Sequence, residues 1–160
     1  DSITIEFASE ESVRVSGLKS EQFEFIDELS SDRYDEINNY SNVEPVICNH
    51  GTISVLAFNS GRKPFDDVNL RRAVAHAINP REMAYAQVGD EKFWSVEDGS
   101  WFKEGNEWYD ADAGKGVYDN QDIEKAKEYV EKSDYNNEVI TIIGTKENVY
   151  TSNGSLELQD

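Results

Sequence analysis

The chain has 160 residues, 38% of them hydrophobic, so it has the length of one ordinary domain and enough apolar side chains for a core. Its 15 Lys and Arg stand against 33 Asp and Glu, and the formal net charge of −18 repels phosphate backbones and anionic membrane surfaces. This composition argues against a nucleic-acid partner. Cys48 is the single cysteine, which excludes an intramolecular disulfide and predicts that it packs as a small apolar residue.

Strand patterns occur in four segments of the chain. Residues 2–7 alternate apolar and polar side chains, which is the period of a half-buried strand. Residues 46–58 are rich in β-branched and apolar side chains, and we expect two adjacent strands there with turn residues at 49–51. The predicted strands lie at 2–7, 23–27, 46–58 and 139–143.

Helical periodicity is clearest after residue 66. One face of this helix carries Leu70, Val74, Ala77 and Ile78, with Ala73 beside them. Asp66 or Asp67 is the predicted N-cap of this helix, Asn79 followed by Pro80 begins a second helix, and Asp122 caps a third. The predicted helices lie at 67–78, 80–87 and 122–132, with shorter ones at 9–18 and from 32 to about 40, and a further helix opening at Leu156. Strands and helices along one chain predict an α/β fold.

A stretch rich in glycine and aromatic residues runs from 88 to 118 and contains Trp94, Trp101 and Trp108. A loop of this length in a compact domain is often functional. Two interpretations stay open, because tryptophan either stacks on a ligand or packs over a protein surface. The same tryptophans, together with abundant carboxylates, make a carbohydrate-binding or glycoside-acting module the alternative function.

The sequence singles out neither a metal site nor a catalytic pair. His50 and His76 lack a second His or Cys at ligand spacing, and we expect His76 to have an ordinary surface or half-buried position. Residues 110–122 fail the template of a calcium loop, because Lys115 stands at the turn glycine and Gln121 at the last Glu. No catalytic residue, metal or cofactor is therefore predicted, and we do not expect an enzyme.

Residues 56–83, LAFNSGRKPFDDVNLRRAVAHAINPREM, resemble the signature region of the family 5 extracellular solute-binding proteins. These are the dipeptide, oligopeptide, glutathione and nickel receptors of bacterial ABC importers. The family pattern is a strand ending in Phe-Asn, a short link, a Pro-Phe-x-Asp motif and a helix. The matching residues are Phe58, Asn59, Pro64, Phe65, Asp67, Leu70, Arg71, Ala73, Ala77, Ile78, Arg81 and Glu82.

A second resemblance to this family covers the aromatic loop, the helix after it and the following strand pattern. It is carried by Tyr118, Asp122, Lys125, Ala126, Lys127 and Tyr135. The family has Gly before the residue at Tyr135, and this chain has Asp134, a residue that also adopts the left-handed backbone conformation. The resemblance covers nearly the whole chain and is strongest from 56 to 143.

The resemblance implies part of a two-lobed periplasmic-binding-protein type II fold. Residues 1–59 would belong to the first lobe, 60–63 to a hinge crossing and 64–160 to the second lobe. The chain would be the middle piece of a protein about three times as long, located outside the cytoplasm, either in the periplasm or lipid-anchored at the cell surface. Its partners would be a small peptide or related solute and a membrane-embedded ABC permease.

The resemblance also suggests where a solute would bind. Asn59 and Ser60 would lie at the floor of the cleft between the lobes, and Trp101 and Trp108 would form part of its wall. Asn59 has a second interpretation, in which it only orders the turn after its strand. With one strip of each lobe, the chain alone is expected to bind peptides weakly and to self-associate.

Overall fold

The computed structural model describes residues 2–48, 53–96, 99–118, 120–145 and 148–159. The chain divides into two compact units, residues 1–47 and residues 48–160. The described residues form six α-helices and two 3₁₀ turns, the latter at Ser31–Arg33 and Glu91–Phe93. The predicted assignment of residues 1–59, 60–63 and 64–160 to two lobes and a hinge crossing stays a prediction.

The predicted strands are not formed in the part of the chain that the structure describes, so the α/β class is not seen here. A strand needs a neighbour to pair its backbone groups, and alternating hydropathy shows only which face a sheet would bury. Apolar side chains of the alternating segment 2–7 and of the apolar run 139–143, such as Ile3, Phe7, Val139 and Ile143, are accordingly exposed. Cys48, predicted to pack as an apolar residue, is exposed as well. The predicted turn at 49–51 lies outside the described residues.

The first unit is built on α1 (Glu11–Lys19) and α2 (Tyr34–Asn38). Its core consists of Val15, Leu18 and the fully buried Ile37. Four partly buried side chains surround this core: Ile26, Leu29, Tyr40 and Val43. With so few buried side chains, the unit depends strongly on each of them.

Gly17 lies inside α1, although the predicted helix at 9–18 is terminated by this glycine. It is buried, and a Cβ atom added to it would overlap the ring of Phe23. The amide groups of Gln22 and Phe23 both donate to the carbonyl oxygen of Gly17, at 2.8 and 3.2 Å. The glycine therefore allows the chain after α1 to fold back closely, and the helix continues to Lys19.

Polar contacts fasten α1 to the segment that precedes α2. The carboxylate of Glu11 accepts hydrogen bonds from the amide and the hydroxyl of Ser30, at 2.6 and 3.1 Å. The guanidinium of Arg14 donates to the carbonyl oxygens of Ala8 and Glu28, at 2.8 and 3.0 Å. These bonds satisfy backbone groups in segments that lack regular secondary structure.

The second unit contains two pairs of packed helices. The first pair is α3 (Val68–Ala77) with α5 (Ile123–Glu131), and the second is α4 (Pro80–Val88) with α6 (Val149–Glu157). The N-caps predicted for α4 and α5 are confirmed, and of the two candidates for α3 it is Asp67: side-chain oxygens of Asp67, Asn79 and Asp122 accept backbone N–H groups in the first turns of α3, α4 and α5. α6 begins well before the predicted Leu156, and Gly154 brings it close to Gln87 of α4.

The buried face of α3 is rotated from the predicted one. Leu70, Ala73 and His76 are buried, whereas Val74 is only half-buried and Ala77 is exposed. His76 is 2% exposed, so its predicted surface or half-buried position is wrong. Its ring stacks on that of Tyr129 of α5, with centroids 5.5 Å apart and planes 3° apart. An imidazole can fill an interhelical position of this kind because its faces are flat and weakly polar.

Candidate functional site

The segment from Phe58 to Asp66, which we term the link, contains the predicted binding residues Asn59 and Ser60. Both side chains are exposed. Backbone bonds close the link into successive turns: Ser60 N to Phe58 O at 2.9 Å, Arg62 N to Asn59 O at 3.2 Å, and Asp66 N to Arg62 O at 3.1 Å. The link thus presents two small polar side chains on a closed backbone.

The side-chain amide of Asn59 makes no hydrogen bond to any residue that the structure describes. The turn after Phe58 is instead held by the carbonyl oxygen of Asn59, which accepts the Arg62 amide. A side-chain amide offers two N–H donors and a carbonyl acceptor. Asn59 therefore orders the turn through its backbone, and its side-chain amide is exposed to solvent.

An aromatic contact spans the two ends of the link. The half-buried rings of Phe58 and Phe65 have centroids 4.8 Å apart and planes inclined at 43°. Tilted pairs at this separation are favourable because the edge of one ring meets the face of the other. The contact brings the start of the link next to its end, directly before α3.

Asp67, the N-cap of α3, joins this helix to the chain that follows α5. One carboxylate oxygen accepts from the amide of Asn69 at 2.7 Å, and the other accepts from the amide of Asp134 at 2.8 Å. The side-chain amide of Asn69 donates to the carbonyl oxygen of Lys132 at 3.1 Å. The Asp134 and Asn69 amides hold the pKa of Asp67 below its ordinary value, since both favour the ionised carboxylate.

A concavity of about 370 Å³ lies beside this junction. Its lining residues are Lys63, Pro64, Asp66, Asp67, Asn69, Lys132, Asp134, Tyr135 and Glu138. Two ammonium groups and four carboxylates make the surface strongly polar, so it suits groups that hydrogen-bond or carry charge. Among the described residues, no group of three or more His, Cys, Asp or Glu side chains is placed to hold a metal ion.

Glu138, at the rim of this concavity, holds the backbone after α5. Its carboxylate accepts from the amide of Asn136 at 2.8 Å, and its carbonyl oxygen accepts from the hydroxyl of Tyr135 at 3.1 Å. The Asn136 amide is the main cause that lowers the pKa of Glu138. The left-handed residue of this turn is Asn137, with φ of 58°, and not Asp134 as the resemblance led us to expect.

The aromatic loop exposes two of its three tryptophans. Trp101 and Trp108 are 72% and 68% exposed, so most of each side chain is left uncovered by the part of the chain that the structure describes. Trp94 is partly buried, and its indole N–H donates to the carbonyl oxygen of Gly89 at 2.9 Å. Within the described ranges, no hydrogen bond or ring contact joins either exposed tryptophan to the link.

The aromatic loop itself is held by Ser100, which is buried. The hydroxyl oxygen of Ser100 accepts from the amides of Phe102 and Asp110, both at 3.3 Å. Gly99 before it has φ of 105°, and an added Cβ would lie 2.8 Å from the carbonyl oxygen of Ala113. Such a backbone conformation and such close approach require glycine, so the base of the loop is fixed while its two tryptophans project.

Asp67→Asn should make the folded chain less stable at pH 7, because the second carboxylate oxygen that accepts from Asp134 is replaced by an amide nitrogen. The pKa of Asp67 is lowered on folding from its ordinary value of 3.8. The contribution of the carboxylate to stability is therefore present above that value and is lost as the pH falls through the lower pKa of the folded state. Denaturant unfolding at pH 7 and pH 3 checks this. The difference from the wild type should shrink at pH 3.

The matched control is Asp66→Asn, which makes the same change one residue earlier, where the side chain is exposed. We expect this variant to unfold like the wild type at both values of pH. A deficit of Asp67→Asn that grows on acidification would contradict the role given to the ionised carboxylate.

Comparison with known proteins identifies the family. The family described as bacterial extracellular solute-binding proteins, family 5 Middle, matches residues 1–158. No curated protein and no solved structure matches the chain. None of the described helices has the length and apolar character needed to cross a membrane. The family implies a type II periplasmic-binding fold, a role in solute binding and a place outside the cytoplasm, and nothing in the comparisons supports the carbohydrate alternative. The chain belongs to the bacterial extracellular solute-binding proteins of family 5.

Proposed function

We propose that the chain is part of the solute-binding component of an ABC importer, which captures dipeptides or oligopeptides in a cleft between two lobes. The observation that carries this proposal is the amide of Asn59, which is exposed and unpaired within the described part of the chain. A peptide main chain alternates donors and acceptors, and a side-chain amide can pair with both. Ser60 adds a hydroxyl beside it, and no bond has to be made or broken.

In this proposal, residues 1–59 belong to the first lobe and residues 64–160 to the second. The segments with strand patterns, at 2–7, 23–27, 46–58 and 139–143, form strands in the sheets of the lobes. Exposed apolar side chains such as Ile5, Phe7 and Val139 support this, because burial in a sheet would remove their surfaces from water. Closure of the lobes encloses the peptide, and Trp101 and Trp108 contribute to the wall of the cleft.

The same proposal places the protein outside the cytoplasm, in the periplasm or lipid-anchored at the cell surface, where it delivers its solute to a permease in the membrane. The net charge of −18 supports an encounter with cationic surfaces and solutes over anionic ones. Among the solutes bound by this family, a peptide fits best the exposed side-chain amide of Asn59.

Titration of the ¹⁵N-labelled chain with a pool of dipeptides to pentapeptides, followed by NMR, tests the proposal. We expect weak binding, with the largest shifts at the Asn59 side-chain amide and the Ser60 backbone amide. Asn59→Ala should weaken binding about fivefold, which corresponds to one hydrogen bond of ~1 kcal/mol. The control Asn120→Ala removes another exposed amide of the second unit and should bind as the wild type does.

Shifts confined to residues away from the link would contradict the proposal. A parallel titration with oligosaccharides distinguishes the alternative function. Larger shifts at Trp101 and Trp108 with saccharides than with peptides would favour a carbohydrate-binding module.

A further inference from the structure

The contacts of the link connect it to the first helix pair, α3 with α5, rather than leaving it as a free crossing. We infer that residues 58–66 move as one body with α3 and α5, with Arg71 and Asp67 as the positioning residues that hold them together. The inference rests on the proposed function, because it says which moving body carries Asn59 and Ser60. It places the bending before Phe58. Residues 58 and 59 then move with the second lobe, whereas the sequence predicts them in the first lobe and the hinge crossing at 60–63.

The first contact is made by Arg71, in the first turn of α3. Its guanidinium donates from Nη1 to the carbonyl oxygen of Phe65 at 2.7 Å and to that of Asp66 at 3.2 Å. The side chain is half-buried. Charged donors make stronger hydrogen bonds than neutral ones, and one group that holds two successive carbonyls fixes the orientation of the peptide between them. The end of the link is thereby tied to the helix.

The second contact carries this constraint to the start of the link. The ring of Phe65 packs against that of Phe58 at 4.8 Å, and the turns between them close through the amides of Ser60, Arg62 and Asp66. A hinge needs residues whose backbone dihedrals can change without loss of contacts. Bending within 60–63 would break these turns and separate the two rings, so the link is unsuited to be the hinge.

The third contact extends the body to α5. Asp67 accepts from the amide of Asp134, and Asn69 donates to the carbonyl oxygen of Lys132, so two bonds join the start of α3 to the end of α5. The packing of the two helices and the stacking of His76 on Tyr129 continue this connection along their length. Asn59 and Ser60 are accordingly carried by the body that contains residues 64–160.

Residual dipolar couplings of backbone amides test the inference, because they report the average orientation of each segment over times up to milliseconds. Couplings from 58–66 in the full 160-residue chain should fit the alignment tensor obtained from α3 and α5. In Arg71→Gln the couplings from 58–66 should lose magnitude, while those of α3 and α5 keep theirs. The control Arg81→Gln changes an exposed arginine at the start of α4 and should leave all three segments as in the wild type.

A wild type in which 58–66 needs a separate or weaker tensor would overturn the inference, and so would an Arg71→Gln variant with unchanged couplings. If Arg71→Gln unfolds α3, the variant Phe58→Leu tests the inference instead. This substitution removes the contact between the rings of Phe58 and Phe65 and leaves the contacts of α3 in place. Unchanged couplings of 58–66 in Phe58→Leu would then overturn the inference. No solute is used, so a failure of peptide binding leaves this test intact.

Discussion

Leu70→Asp is expected to lower the free energy of unfolding of the second unit by about 3–5 kcal/mol. Leu70 is 3% exposed, on the face of α3 that packs against α5. A carboxylate at this position must lose its water without gaining a partner, and it also removes the buried surface of the leucine. Thermal or denaturant unfolding followed by the circular dichroism of the helices measures the effect.

The control is Val68→Asp, which makes a comparable change at the first residue of the same helix. Val68 is exposed, and a carboxylate there interacts favourably with the unpaired N–H groups of the helix start. We expect the free energy of unfolding of this variant to be no more than about 0.5 kcal/mol below that of the wild type. Equal losses from both substitutions would show that α3 packs through another face.

Ile37→Ala should have the next largest effect, a loss of about 2–5 kcal/mol in the first unit. Ile37 is fully buried and packs with Val15 and Leu18, so its truncation leaves a cavity among few remaining contacts. The expected result is rapid hydrogen exchange throughout α1 and α2. Protection in α3 and α5, which belong to the other compact unit, should change little.

Val46→Ala provides the comparison within the same unit, since Val46 is exposed and its truncation creates no cavity. Its effect on exchange in α1 should stay within the range of ordinary surface substitutions, about 0.5 kcal/mol. If Ile37→Ala left α1 as protected as Val46→Ala does, the three-residue core would not be what stabilises this unit.

The starts of α3, α4 and α5 are the part of this fold that sequence reasoning predicted best. The caps at Asp67, Asn79 and Asp122 each bond to an amide two or three residues ahead, so the interaction is contained within one turn. The buried face of α3 was predicted less well, because hydropathy treats His76 as polar although its ring packs flat on Tyr129.

Strand pairing and the arrangement of the candidate site depend on residues that are far apart in the chain. Local sequence patterns carry less information about such contacts. Alternating apolar and polar residues at 2–7 indicate which face of a strand could be buried, but the pairing of that strand depends on another segment of the chain. The bond from Asp134 to Asp67 spans 67 residues, and no spacing rule would have found it. The link could be located from the Phe-Asn and Pro-Phe motifs, whereas its attachment to α3 through Arg71 required the structure.

The exposed apolar side chains of the strand-patterned segments make the colloidal behaviour of the chain depend on salt. Ile3, Phe7 and Ile143 offer surfaces that attract like surfaces on another copy, while a net charge of −18 keeps two copies apart. At low ionic strength the repulsion reaches across tens of ångströms, but at 0.15 M it extends only about 8 Å. We therefore expect added salt to shift the balance from single chains toward association.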